Sequence, residues 1–474
     1  MSERGILDCK FRLFSLQKLA IVERMIGRNP DHDEPQIDLF RIELERLLDL
    51  QHPMVRLARN IDWAAFEKAF AAMWHDSNGR PSIDTRLMVS LHYLKYTFDL
   101  SDEAVVEGWV QNPYWQFLSG MRYFEHEVPI DPSSMSRWRG RAGKAGVEEL
   151  LQQTIRAGLK MKVIEPNQLD RINVDTTVQE KHVRFPTDSR LYHRARERLV
   201  KVATQAGLSL RQSYARCGKI LLMQQSRYSH AKQMKRARKC QRKLHTLLGR
   251  VIRDIERKSQ STGQEMEARL SELLKRAKRI FEQKRQDKNK LYSVHAPEVE
   301  CISKGKAHKR YEFGVKVSVA TTSKGGWHVG SMSCVHNPYD GHTLNAALKQ
   351  VAGLLGREPA HVFVDMGYRK HDYQGKSEVH VDKRTRGATA RSLWKWMKRR
   401  AAIEPGIGHL KAEHRLERNR LWGERGDMVN AILSAAGMNF AKLLRRAAAL
   451  CRAWLAALWR LVSLMGTPRV LHTL

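Results

Sequence analysis

Three acids in this 474-residue chain stand where they could do chemistry: Asp175 after Arg-Ile-Asn-Val, Asp365 after His-Val-Phe-Val, and Glu404 between Ile403 and Pro405. The first two close short runs that read as buried strands; 190 residues separate them, and 39 more lead to the Glu. A carboxylate at the exposed end of a buried strand sits on the rim of a sheet, where ligands bind. Glu404 follows Ala-Ala-Ile in a stretch otherwise crowded with Arg, Lys and His, and a buried carboxylate is costly without a partner. Two strand-end Asp and a helix-borne Glu offer the hard oxygens that Mg²⁺ prefers. Two such ions, roughly 3.5–4 Å apart, can activate a water or a 3′-hydroxyl and stabilise the leaving oxygen of a phosphodiester. Taken singly, each acid also reads as a turn residue or a helix ion-pair member. On spacing alone both readings stand.

The charge balance supplies a substrate. There are 84 Lys+Arg against 50 Asp+Glu, a formal net charge of +34. Self-repulsion of that size disfavours a compact fold unless a polyanion neutralises it. Nucleic acid is the first partner to consider, double-stranded DNA among its forms, and an anionic membrane the second. The N-terminus MSERGILDCK has no apolar core of a signal peptide, and the apolar segment 447–466 is interrupted by Arg452 and Arg460. That segment reads as an amphipathic helix, so no membrane partner is expected. The cysteines (Cys9, Cys217, Cys240, Cys301, Cys334, Cys451) form no CxxC pair, which argues against a disulfide framework and a zinc site and fits a reducing cytoplasm. A cytoplasmic, nucleoid-associated protein is the expectation.

The elements that must position the acids follow from periodicity. Residues 1–79 read as a helical appendage. Residues 80–160 read as a small helical domain: SIDTRLMVSLHYLKYTF with Ser82 as its cap, then one helix over 100–120 capped by Ser101 or Asp102, then another starting at Asp131 or Ser133. The last opens on Arg137, Trp138, Arg139 and Arg141, which suits either a solvated face with one anchoring Trp or a helix-turn-helix-like reader of DNA. Strand patterns run over 171–185, 311–322, 326–335, 361–365 and 378–384, with a helix over 340–355 and further helices from about 388 to 411 and from 427. Between them, residues 211–290 hold 24 Lys/Arg against 7 Asp/Glu and read as a basic helical hairpin turning at 259–264, a phosphate clamp or dimer arm. The sum is an α/β fold: a mixed-sheet domain (165–190 and 291–450) interrupted by a basic helical insertion (191–290), preceded by an all-α domain and followed by an amphipathic tail (451–474).

NVDTTVQEK, NPYDGHTL, VDMGY and above all AIEPGIGHLKAEHR resemble the bacterial insertion-sequence transposases of the DDE type, specifically the insertion-sequence-five (IS five) family, over roughly residues 80–445. The resemblance implies an RNase H-like catalytic fold whose Asp, Asp, Glu triad falls on Asp175, Asp365 and Glu404. It implies two Mg²⁺ ions, for which Mn²⁺ can substitute, terminal inverted repeats as the DNA bound, cleavage at the element's ends, and joining of the 3′-hydroxyl to target DNA, with a homodimer on DNA as the working form. Relatives carry an Arg four before the Glu and a Lys seven after it, positions held here by Arg400 and Lys411. On a straight helix of about 100° per residue both share one face with Glu404, with His409 opposite, although Pro405 and Gly406 can kink that register. Two departures are visible: Met397 stands where the relatives have Tyr, and Met366 where many have a basic residue after the second Asp. Tyr368 and Arg369, just beyond Asp365, could stack on or clamp a distorted DNA end. The remaining His residues, among them His182, His342 and His414, show no metal-binding spacing. The rival reading is a non-catalytic DNA-binding regulator or an inactive remnant built on the same basic helices.

Overall fold

The protein, described by a computed structural model, is placed over residues 41–71, 83–261, 267–303, 310–382 and 391–465. The helical part opens with α1 (Leu44–Leu47), α2 (Pro53–Asn60), α3 (Trp63–Ala71) and α4 (Thr85–Thr97). Ser82 and most of 1–79 lie outside the described residues; the cap of α4 is Asp84, whose carboxylate accepts from the Arg86 amide. The helix expected over 100–120 is two, α5 (Asp102–Gln111) and α6 (Pro113–Leu118). Pro113 cannot continue a helix, and the Asn112 side chain caps the second by accepting from the amides of Tyr114 and Trp115. Next, α7 (Ser133–Lys160) breaks at Gly143, whose φ of 62° only glycine adopts freely.

Strand β1 (Arg171–Glu180) follows, and then a helical insertion: α8 (Asp188–Gln205), α9 (Ala215–His230), α10 (Met234–Ser261) and α11 (Ala268–Glu282). A hairpin was expected here; three helices fill the basic stretch, and α8 completes their core. That core is separate from the rest, built from residues such as Leu199, Leu244, Leu248, Ile255, Leu270 and Ile280. Residues 259–261 of the expected turn are still helix, the end of α10, and 262–264 lie outside the described residues.

The chain then returns to the sheet with β2 (Glu300–Ile302), β3 (Glu312–Thr322), β4 (His328–Cys334), α12 (Asp340–Leu355), β5 (His361–Val364) and β6 (Glu378–Val381). The order is β2-β3-β1-β5-β6, with β4 also on the outer edge of β3. β1 runs antiparallel to β3 and parallel to β5, which is parallel to β6. This is a six-stranded mixed sheet. The expected helix from 388 to 411 is divided: α13 (Arg391–Arg399), a 3₁₀ turn at Arg400–Ala402, then α14 (Ile403–Glu413). Last comes α15 (Gly423–Met465).

Each face of the sheet is covered. On one, Ile172, Val174, Val362 and Val364 meet Leu344, Leu348 and Val351 of α12. On the other, Val315, Val317 and Val319 meet Leu410 of α14 and Ala431 and Met438 of α15. α15 also joins the helical part to the sheet: Tyr93 stacks on Phe440 at 4.8 Å, and Gly437 lies where a Cβ would come within 2.5 Å of the Tyr96 Cβ. Hence α4, α7 and the sheet share one hydrophobic core.

Candidate active site

The pairing of β1 with β5 decides where the first two acids lie. Asn173 is the partner of Phe363, so Asp175 and Asp365, each two residues further on, emerge on the same face. β1 does not end at Asp175. It continues to Glu180 along β3, whereas β5 stops at Val364, so Asp175 stands at the open rim all the same. One strand further out, Val364 pairs with Val381, which brings Asp382 into the same row.

A cavity of about 380 Å³ opens beside them, lined by Asp175, Thr176, Lys316, Asp340 and Asp365 among others. Asp340 begins α12 and reaches the cavity from the other side of the sheet. Its Oδ1 accepts from Thr176 Oγ1 at 3.0 Å and from Lys316 Nζ at 2.9 Å. Asp365 Oδ1 accepts from the Gly367 amide at 2.9 Å, and Asp175 Oδ1 from the Thr176 amide at 2.7 Å. Beneath the acids Tyr368 is fully buried; burial, then the nearby carboxylates of Asp175 and Asp340, push its phenol well above the usual range.

Arg400 links the third acid to this centre. Its guanidinium lies 3.9 Å from Asp175, 3.6 Å from Asp382 and 3.8 Å from Glu404. Arg400 is nearly buried, while the Glu404 side chain is 65% exposed at the start of α14. Lys411 turns toward β3 instead, with Nζ 3.8 Å from Glu312. The donor set suits a hard divalent cation, since the cavity lining contains carboxylates and neither Cys nor His. Among the described residues, though, only His361, Glu378 and His380 bring three ligand atoms within 4.8 Å of one another, so the acids of this centre stand further apart.

Other expected DNA-facing residues fall elsewhere. Trp138 is wholly buried between Phe70 and His92, at 5.1 and 4.6 Å, and cannot touch DNA. Arg139 is buried too, its two nitrogens on the two oxygens of Asp102 at 2.8 and 2.7 Å. Burial would raise the Asp102 carboxyl, but Arg139 and Lys95 outweigh it and hold it well below the usual range. Tyr368 is likewise unavailable for stacking. The reason is shared: a helix or turn beside a core spends its aromatic and every third or fourth residue on packing. Arg137, Arg141 and Arg369 are exposed. Sequence reasoning missed Asp340 and Asp382; the signal for Asp340 was in NPYDGHTL, one of the motifs that carried the family resemblance.

Residues 42–141 match the family model described as a transposase domain (DUF772), and residues 363–444 match one described as a transposase DDE domain. The chain belongs to the DDE-type transposases. The second match takes in Asp365, Asp382, Arg400 and Glu404 and leaves Asp175 outside. This transposase is also 50% identical over 196 residues to "Uncharacterized protein ORF8 in nfe locus" of Rhizobium meliloti, a span of 41% of this chain and 94% of that protein. No solved structure matches it. A DDE domain implies divalent-metal-dependent chemistry on DNA, and no helix among the described residues is long and apolar enough to cross a membrane.

Proposed function

We propose that this transposase is an insertion-sequence enzyme of the IS five type. In this reading it binds terminal inverted repeats, cleaves the element's ends and transfers the 3′-hydroxyl strand to target DNA. One observation carries the reading: Asp175 and Asp365 share a face in register, and Arg400 ties Glu404 to Asp175. The sheet, in which β1, β3 and β4 are antiparallel neighbours, β2 is a short strand beside β3, and β5 and β6 run parallel to β1, supports an RNase H-like catalytic domain of 165–190 and 291–450 interrupted by the 191–290 insertion.

Asp175, Asp365 and Glu404 would hold the Mg²⁺ ions, with Asp340 beside them. When bound, such ions supply activation of a water or 3′-hydroxyl and charge neutralisation at the scissile phosphate. The chain's own part is positioning. Arg400 keeps the carboxylates facing one another against their mutual repulsion and offers a fork to a phosphate. Lys316 fixes Asp340 at the cavity wall. Exposed Arg137 and Arg141 of the helical part, Arg369, and the basic faces of α9 to α11 grip DNA, with a homodimer as the working form in the nucleoid.

The test is nicking of a labelled element-end duplex with Mg²⁺ or Mn²⁺, beside a gel-shift measurement. Asp175→Asn, Asp365→Asn and Glu404→Gln each abolish nicking and keep end binding, because the amide preserves shape and loses the charge that holds a hard cation. Glu413→Gln is the control; that side chain is exposed and bonded to His409 at 2.6 Å. Normal nicking by Glu404→Gln defeats the triad.

A further inference from the structure

A second cluster of ligand-type side chains lies on the sheet, away from the cavity. The parallel register of β5 and β6 sets His361 beside Glu378 and Phe363 beside His380, so the two imidazoles and the carboxylate share one face. His361 Nδ1 is 3.1 Å from His380 Nε2 and 3.2 Å from Glu378 Oε2, and His380 Nε2 is 3.7 Å from the same oxygen. A tetrahedral ion with Zn–N bonds of about 2.0–2.1 Å holds its ligands about 3.3–3.4 Å apart. The three separations bracket that spacing. Without an ion the arrangement is poorly served: His361 Nδ1 faces both an imidazole nitrogen and a carboxylate oxygen, and one ring proton satisfies only one of them.

We infer that His361, Glu378 and His380 form a site for a borderline divalent cation of the zinc class, which clasps the edge strand β6 to β5. Imidazole selects Zn²⁺ over Mg²⁺, so this site is chemically distinct from the cavity at the other end of the same strands, whose acidic ligands are carboxylates alone. His380 is held by packing against the Phe363 ring, 5.0 Å between centroids, and its side chain is only 9% exposed. Glu378 is 65% exposed, which leaves the fourth position to water. β6 is four residues long and pairs with β5 alone among the described strands, so a metal clasp replaces the second neighbour it lacks. The inference does not depend on the transposition reaction.

The experiment is calorimetric titration of the full-length protein with ZnCl₂ in excess Mg²⁺, with Co²⁺ absorption to report tetrahedral geometry. One Zn²⁺ binds per wild-type chain. His361→Ala and Glu378→Ala weaken it by at least about 100-fold, the upper end of what loss of a mere supporting partner costs. Asp175→Asn leaves it unchanged. Glu378 is exposed, so its variant folds even if a His variant does not. Zinc affinity that survives in Glu378→Ala, or no zinc binding by the wild type, overturns the inference.

Discussion

Asp175 and Asp340 reach one cavity from opposite faces of the sheet, one directly from β1 and the other past Thr176, whose hydroxyl donates to it. Asp340 also neutralises the nearly buried Lys316. Asp340→Asn therefore leaves an unbalanced ammonium beside Asp175 and Asp365 and raises the Mg²⁺ concentration needed for half-maximal nicking. An expected rise of about tenfold corresponds to about 1.4 kcal/mol of lost charge pairing. Adding Lys316→Met recovers part of it. An unchanged Mg²⁺ requirement shows that Asp340 serves only α12.

Arg400 lies within 4 Å of three carboxylates at once, a spread that suits a broad planar cation better than a point charge. The three carboxylates lie at ion-pair and not hydrogen-bond distances, so Arg400→Lys is expected to slow nicking nearly as much as Arg400→Ala, by about tenfold, which corresponds to about 1.4 kcal/mol. Single-turnover rates at saturating DNA separate this from a binding loss.

Along α10, Lys235, Arg236, Arg238, Lys239, Arg242 and Lys243 are all exposed. Replacing them with Gln should flatten the dependence of log affinity on log salt, by up to about 0.9 for each phosphate that is no longer neutralised. A slope equal to wild type means that this face does not meet DNA.

His92 is buried, its Nδ1 donating to the Met88 carbonyl at 2.7 Å. Burial, then the Arg139 charge, lower its pKa from 6.5 to about 3. The fold thus prefers the neutral ring, and that preference is fully present above pH 6.5 and lost as pH falls from 6.5 toward 3. His328 and His414, also lowered by burial, act in the same direction. Thermal melts between pH 7 and 4 should fall steeply for the wild type and less steeply for His92→Gln.

Trp138→Ala is expected to cost about 3–5 kcal/mol of stability, as for any large buried aromatic. Arg137→Ala, at an exposed position, should leave the melt unchanged and weaken the preference for an element end over a scrambled duplex.

Strand and helix signals were strong in the sequence where one residue type dominated a face. The run HVFV and the helix DGHTLNAALKQVAGLL fall within a residue of their structural limits because their apolar spacing has one solution. Trp138 and Arg139 misled because a basic helix start looks alike whether its Arg faces solvent or a buried Asp, and Asp102 is 37 residues away. His361 and His380 were invisible as a pair for a related reason: their spacing of 19 residues becomes 3.1 Å only through strand register. Asp175 and Asp365 depended on that same register, yet the family motifs around them carried the reading.

The place of the insertion sets an order of events. β1 and β3 are neighbours at the centre of the sheet, yet α8 to α11 are made between them. Closing a flexible loop from Glu180 to Glu312 is entropically unfavourable and slow to search, since non-local pairing limits folding rate. The helices complete a core from one continuous stretch, so they can assemble first and shorten the search to the connections at their two ends, 181–187 and 283–311. On the ribosome, β1 emerges well before its central partner exists. Its apolar residues Ile172, Val174 and Val178 stay uncovered through synthesis of the whole insertion, and a slowed α8–α11 core would appear first as aggregation of nascent chains.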